Sequence, residues 1–273
     1  MYELEQAGVG DTRSLVSWAA ANVFGAKCNL KGFDYAWIIT SRNWKAGDRI
    51  LDGGAGYSTL PIQLAEQYQC EVWAVDDFGI GTNDDFWARG KEPRDWISAH
   101  PQVRYVLERL GDQNPSSLPR HYFDCIYSAS ALEHVPPQQI RSVWQHMDRL
   151  LKPGGHMLHA LDMSLPSGRG LLSLGKAFLI DYLWPLLPAG YRIRNVYCTP
   201  TAYLRVAASS LPSCRVRLSG RGLHPLRLVL DPHVVIEPLD WALNRVRKDG
   251  LLLDLIPRTT TFFIELRKSV NEI

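Results

Sequence analysis

The chain lacks any paired-cysteine pattern. Its five cysteines, at 28, 70, 125, 198 and 214, are scattered, and no two stand at a Cys-x-x-Cys spacing. That argues against the common zinc ligand sets and against a disulfide framework, and small, buried, reduced thiols are expected instead. Uninterrupted apolar runs are missing too. The stretch 171–187 is broken by Lys176, Asp181 and Pro185 and is too short to span a bilayer, so no transmembrane segment is expected. Met-Tyr-Glu-Leu-Glu-Gln at the amino terminus lacks the basic and apolar regions of a secretory leader, which makes a cytoplasmic protein the expectation. Net charge is small: 30 Lys and Arg against 28 Asp and Glu leave +2, which argues against a general nucleic-acid binder. Neither an internal repeat nor a low-complexity tract is visible.

What is present is an ordered alternation of strand and helix signals. Ile50 and Leu51 close a short apolar strand, Asp52 follows, and Gly53, Gly54 and Gly56 make a turn. From Ser58 to Gln69, Leu60, Ile62, Leu64 and Ala65 have the spacing of a helix packed on a sheet. Strand, glycine turn and helix is the geometry that brings backbone N–H groups close to a nucleotide-like ligand. A second strand, 71–75, ends in Asp76 and Asp77, where an acid can accept hydrogen bonds from a ribose diol. A third strand, 103–107, leads to Gly111, Asp112 and Gln113, and a fourth, 123–128, runs into Leu132, Glu133 and His134. A helix is expected from Pro137 to Leu151, stopped by Lys152-Pro-Gly-Gly155, with a fifth strand at 156–161. Such alternation predicts an α/β fold, a parallel sheet with helices on both faces. A dinucleotide fingerprint fits the first turn poorly, because Thr59 stands where its last glycine belongs.

Four motifs carry a family likeness: Ile-Leu-Asp-Gly-Gly-Ala-Gly (50–56), Val-Trp-Ala-Val-Asp-Asp (72–77), Phe-Asp-Cys-Ile-Tyr-Ser with Leu-Glu-His-Val (123–135), and Arg-Leu-Leu-Lys-Pro-Gly-Gly (149–155). In this order the chain resembles the class I S-adenosylmethionine-dependent methyltransferases of the small-molecule type. The resemblance covers roughly residues 30–162 plus a closing strand near the C-terminus. It implies a Rossmann-like seven-stranded sheet, mostly parallel with an antiparallel last strand, and S-adenosyl-L-methionine as cofactor. On the likeness, the donor would be held by Asp52, Gly53, Gly54, Ala55, Gly56, Ser58 and Thr59, by Asp76, Asp77 and Phe78, by Asp112 and Gln113 at the adenine end, and by Ser128.

The remaining elements extend this plan. Helices at 12–24 and 32–42 would form an N-terminal cap over 1–46, with the methyltransferase domain at 47–273. A last core helix is expected at 199–211, strand six at 214–218 and strand seven at 260–266. Two insertions remain, 163–198 and 219–258, at strand ends where open α/β sheets hold substrates. The first can be read as a lid with glycine hinges at 168, 170 and 175, as an interfacial helix making peripheral membrane contact, or as a core cap. From Tyr182 to Leu230 there is no Asp or Glu but there are seven arginines, at 192, 194, 205, 215, 217, 221 and 227. Guanidinium forks suit carboxylates and phosphates, which makes an anionic small-molecule or glycan substrate one reading; a solvated strand face bearing Arg215 and Arg217 is the other.

Methyl transfer from a sulfonium is an in-line displacement, so holding the acceptor close and collinear is the main task. An acceptor hydroxyl also benefits from a base, worth roughly 10²–10⁴-fold. His134, a few residues past strand four, is the candidate, since imidazole titrates near neutrality. Asp162 and His159 are weaker ones, His159 being expected inside the sheet. The reaction expected is transfer to a small-molecule, sugar or glycan-intermediate acceptor, at an oxygen. Nitrogen or carbon acceptors and a non-catalytic donor-binding scaffold are the alternatives.

Overall fold

The computed structural model describes residues 2–7, 18, 21, 22, 30–79, 92–112, 116–136, 138–165, 206–211, 214–217 and 258–270. In chain order its elements are β1 (Tyr2–Ala7), α1 (Leu30–Thr40), β2 (Arg49–Gly53), α2 (Leu60–Tyr68), β3 (Glu71–Val75), α3 (Pro93–Ala99) and β4 (Val103–Val106). There follow β5 (Phe123–Ala129), a 3₁₀ turn (Leu132–His134), α4 (Ile140–Leu150), β6 (Leu151–Leu165), β7 (Cys214–Arg217) and β8 (Arg258–Lys268). The strands make one sheet in the order β4-β3-β2-β5-β6-β8-β1-β7. The strands from β4 to β6 pair in parallel. β8 runs antiparallel to both β6 and β1, and β1 is parallel to β7.

The central strands are apolar on both sides because helices cover both faces. Alternation along each strand then sorts residues between two cores. Leu51, Ile126, Met157 and Leu161 face one core, with Trp144 and Met147 of α4. Ile50, Cys125, Tyr127 and Leu158 face the other, with Ala36, Ile38 and Ile39 of α1 and Leu60 and Leu64 of α2. In α4 the buried Ile140, Val143, Trp144, Met147 and Leu150 recur at helical spacing, which is why this polar-looking segment docks as a helix. Cys70 and Cys125 are buried free thiols, and burial pushes their pKa up to about 11 and about 12.

The mixed sheet with its antiparallel closing strand matches the sequence expectation, but among the described residues it has eight strands rather than seven. The additional one is β1, so residues 2–7 belong to the sheet and not to a helical cap. Glu-Leu-Glu-Gln carries little apolar signal, and its pairing with β7 and β8 is made by main-chain groups that leave no mark on side-chain pattern. The segment after α4 also differs. The helix starts at Ile140 and ends at Leu150, one residue short of the expected end, and Leu151 is already extended and paired with Phe123 ahead of the segment Lys152-Pro-Gly-Gly155. It loops out of β6 where the register shifts between Phe123 and Cys125, with Gly154 at φ +77°. β6 also runs three residues into the expected first insertion, ending at Leu165. Residues 166–205 and 218–257, most of the expected helix at 12–24, Cys28 and Cys198 lie outside the described residues.

Tyr2 is fully buried, and its hydroxyl donates to Asp148 at 2.5 Å, a carboxylate that also receives Lys268 Nζ at 2.8 Å. Replacing Tyr2 by Ala is expected to cost about 3–5 kcal/mol, as large-to-small changes of buried aromatic side chains do. Tyr2→Phe should cost about 0.5–1.5 kcal/mol, the net value of one hydrogen bond. Urea unfolding of the two variants checks the order, and equal midpoints for Tyr2→Ala and wild type would contradict the docking of β1.

Candidate functional site

The carboxyl ends of β2, β3 and β5 meet at the glycine turn. Gly54 N–H donates to the Val75 carbonyl at 2.9 Å, and Gly54 and Gly56 take φ of +81° and +48°, which fits glycine better than any other residue. A Cβ on Gly54 would also stand 2.6 Å from the Ala131 side chain. The close approach in this structure is therefore between the turn and the loop after β5. The turn passes into α2 through Ser58, whose N–H donates to the Ala55 carbonyl at 3.0 Å, and Thr59, which precedes the helix without a side-chain cap.

Asp76 and Asp77 face different partners. Asp76 accepts from Gly56 N–H at 2.7 Å and from Phe78 N–H at 2.6 Å, tying the glycine turn to the end of β3. Burial raises its pKa, and the two backbone hydrogen bonds act against that. Each carboxylate oxygen keeps a second lone pair, so Asp76 retains acceptor capacity. Asp77 instead pairs with Arg109, whose Nε donates at 2.7 Å, and accepts from Gly79 N–H at 3.1 Å. Phe78 is buried at φ +50° and packs on Tyr57 with ring centroids 5.1 Å apart. Asp112 lies exposed in the turn after Gly111, where an added Cβ would meet Val143 N at 2.8 Å. Gly111 N–H donates to His146 Nδ1 at 3.1 Å, so this turn is fastened to α4. Gln113 lies outside the described residues.

Beneath the turn is a polar group of which the sequence announced only Asp52. Asp52 is buried, and the register of β2 on β5 sets Tyr127 beside it on the face covered by α1. From α1, Asp34 is fully buried and accepts from Ser130 Oγ at 2.9 Å, while Tyr35 receives a hydrogen bond from Ser58 Oγ at 2.9 Å. One signal was available for Asp34: it is a lone acid in the apolar run 33–39. Ser128 turns away from this group. Its side chain lies on the opposite face, in a hydrogen bond of 2.8 Å with His159 Nδ1, and both are fully buried. The pleat sends neighbours to opposite faces, so Tyr127 and Ser128 cannot both point toward the turn.

His134 ends the 3₁₀ turn with its side chain 59% exposed and Nε2 4.0 Å from Glu133 Oε1. The Glu133 side chain is buried and accepts from Asp162 N–H at 3.2 Å, which joins the His134 loop to the carboxyl half of β6. His159 lies edge-on to Trp144 at 4.9 Å, and burial pushes its pKa down to about 3. It stays neutral and enclosed, as a core residue.

The comparisons agree with this architecture. Residues 50–155 match the family described as "Methyltransferase domain". Phosphoethanolamine N-methyltransferase 1 of Zea mays is 27% identical over 121 residues, which is 44% of this chain and 22% of that protein, so the chain spans about a fifth of its curated relative. Geranyl diphosphate methyltransferase in complex with SAM has a TM-score of 0.50 at 14% identity, covering 96% of this chain and 98% of the other. The [4+2]-cyclase SpnF also has a TM-score of 0.50 at 14% identity, with 95% and 94% covered. At such identity these structures establish the fold. Among the described residues no helix is long and apolar enough to cross a membrane.

The position of His159 has a measurable consequence. The unfolded chain binds a proton at this imidazole below about pH 6.5, and the folded chain does not until pH nears 3. Stability from His159 is therefore fully present above pH 6.5 and is lost as pH falls from there toward 3, by up to about 1.4 kcal/mol per pH unit. Urea unfolding of wild type and His159→Leu between pH 7.5 and 5 should show a steeper decline in wild type. Parallel profiles would rule out a buried neutral imidazole.

Proposed function

We propose that this chain is a class I S-adenosylmethionine-dependent methyltransferase that moves a methyl group to a heteroatom of a small-molecule, sugar or glycan-intermediate acceptor, with oxygen the favoured atom. The observation that carries the reading is Asp76, held at the end of β3 with the glycine turn hydrogen-bonded to its carboxylate. That arrangement suits a ligand with a ribose diol, while the positive-φ turn and buried Asp52 lie on the side where the amino-acid end would sit. When bound, the donor supplies a methyl group on a positively charged sulfur. Asp76 would accept from the ribose hydroxyls, and Phe78 with Tyr57 would shield the purine from water.

His134 would take the proton of the acceptor. It is exposed, on a loop fastened by Glu133 to β6, so it can meet a group arriving from solvent. The arginine-rich stretch 182–230, which holds no Asp or Glu, would favour an acceptor carrying a carboxylate or phosphate. A nitrogen acceptor is the second reading, favoured by the name of the maize relative, an N-methyltransferase of a phosphorylated amine. A donor-binding scaffold without turnover is the third, and the cyclase with this fold shows why activity has to be measured.

S-Adenosylhomocysteine is expected to bind in the micromolar range, and Asp76→Ala to lose roughly 1.5–3 kcal/mol of that affinity by calorimetry. Unchanged affinity would remove Asp76 from the site. With labelled donor and cell extract, His134→Ala should transfer about 10²–10⁴-fold more slowly while binding the donor product normally. Transfer at the wild-type rate excludes His134 as base; binding with no transfer by the wild type supports the scaffold. The carbon-13 shift of the transferred methyl group separates an oxygen from a nitrogen acceptor.

A further inference from the structure

We infer that His146 of α4 is a positioning residue for donor binding: its Nδ1 holds the turn 109–112 against the carboxyl ends of β2 and β3, and the nucleoside end of the donor depends on that hold. The inference rests on the donor assignment above. His146 is the polar exception on the buried face of α4, three residues after Val143 and one before Met147. A polar atom buried among apolar neighbours is costly unless it is bonded. Here Nδ1 finds its partner in the main chain, accepting from Gly111 N–H at 3.1 Å. One helical turn earlier, Val143 stands so close to the same glycine that a Cβ there would lie 2.7 Å from Val143 Cγ2. The turn is thus seated on α4 at two adjoining positions.

What the turn carries is a second, independent observation. Arg109 donates from Nε to Asp77 at 2.7 Å, immediately beyond Asp76. Leu110 reaches the other way: a Cβ on Gly53, the last residue of β2, would stand 2.9 Å from Leu110 Cδ1. Glu108 closes the base of the loop, accepting from Ser116 Oγ at 2.7 Å and from Ser117 N–H at 2.8 Å. Two consecutive residues therefore touch the strand ends that frame the glycine turn, and Gly111 is the point at which α4 supports them. The chemistry of that support is specific. A main-chain N–H can only donate, so Nδ1 accepts and the ring proton sits on Nε2. An imidazolium would set N–H against N–H. Burial first, and then Arg149 of the same helix, push His146 below its ordinary pKa; Glu108 acts against them and Arg120, from the loop before β5, acts with them. The ring is neutral at pH 7, and its hold on Gly111 is lost as pH falls through the lowered pKa, below about 6.5.

The plainer alternative makes His146 only a brace between α4 and the loop after β4. His146→Leu removes the acceptor, whereas His146→Asn keeps one near the place of Nδ1 and cannot titrate. In calorimetry with S-adenosylhomocysteine at pH 7.5, His146→Leu is expected to bind about 3- to 10-fold more weakly and His146→Asn within about twofold of wild type, the scale of one hydrogen bond. A lowered unfolding midpoint with wild-type affinity in His146→Leu would leave only the brace and overturn the inference, as would equal losses in both variants. Should His146→Leu not fold, nitrogen-15 NMR of the wild-type imidazoles decides, the His146 signals being those missing from His146→Asn. Saturating S-adenosylhomocysteine should lower the pKa of His146 by about half to one pH unit, as linkage requires when the neutral ring binds about 3- to 10-fold better. An unchanged pKa rejects the inference. Wild-type protein that binds no S-adenosylhomocysteine refutes the donor assignment itself, and the role of His146 falls with it. Binding that is equal in wild type and His146→Leu refutes only the role of His146.

Discussion

A single carboxylate joins the two loops that make the site. Asp76 holds the N–H of Gly56, twenty residues earlier, and the N–H of Phe78 just beyond it. The left-handed turn at Gly54 and Gly56 is thereby fixed against β3, and the same turn presses on Ala131 after β5. Three strand ends are thus set by one acid and two glycines. The parallel pairing of β2 with β3 and β5 supplies the frame in which contacts this close are repeatable.

Legibility in the sequence followed the physical origin of each feature. β2, β3 and β5 are buried on both faces, so they read as continuous apolar runs, and the structure places them where expected. β1 could not be read, because its place is decided by main-chain pairing with strands far along the chain. Lys152-Pro-Gly-Gly155 marked the end of α4 to within a residue, but not that pairing of Leu151 with Phe123 turns the chain straight into a strand there. In the site, the glycines and Asp76 were legible from spacing. Tyr127 and Asp34 were not, since the first depends on register between strands and the second on how α1 lies across the sheet. The face that Ser128 takes rests on the same register.

The sheet also separates its chemistry. On the α4 side, Ser128, His159 and Trp144 form a closed polar contact inside an apolar core, where imidazole remains uncharged. On the α1 side, Asp34, Asp52, Tyr35 and Tyr127 gather negative charge and phenols under the glycine turn. Adjacent residues of β5 serve these two environments. One strand therefore carries residues of both environments in succession, and a shift of register by one would exchange them.

The position of β1 bears on how the molecule comes to exist. Tyr2 pairs with Lys268 and Ala7 with Phe263, so neighbours in the finished sheet are separated by nearly the whole sequence. β1 and β6 both leave the ribosome well before β8, the strand that pairs with each of them. Until then β6 presents an open edge, with its N–H and C=O groups available to any other strand. Pairing of β8 with β6 thus hides a row of main-chain groups that would otherwise template an unrelated strand.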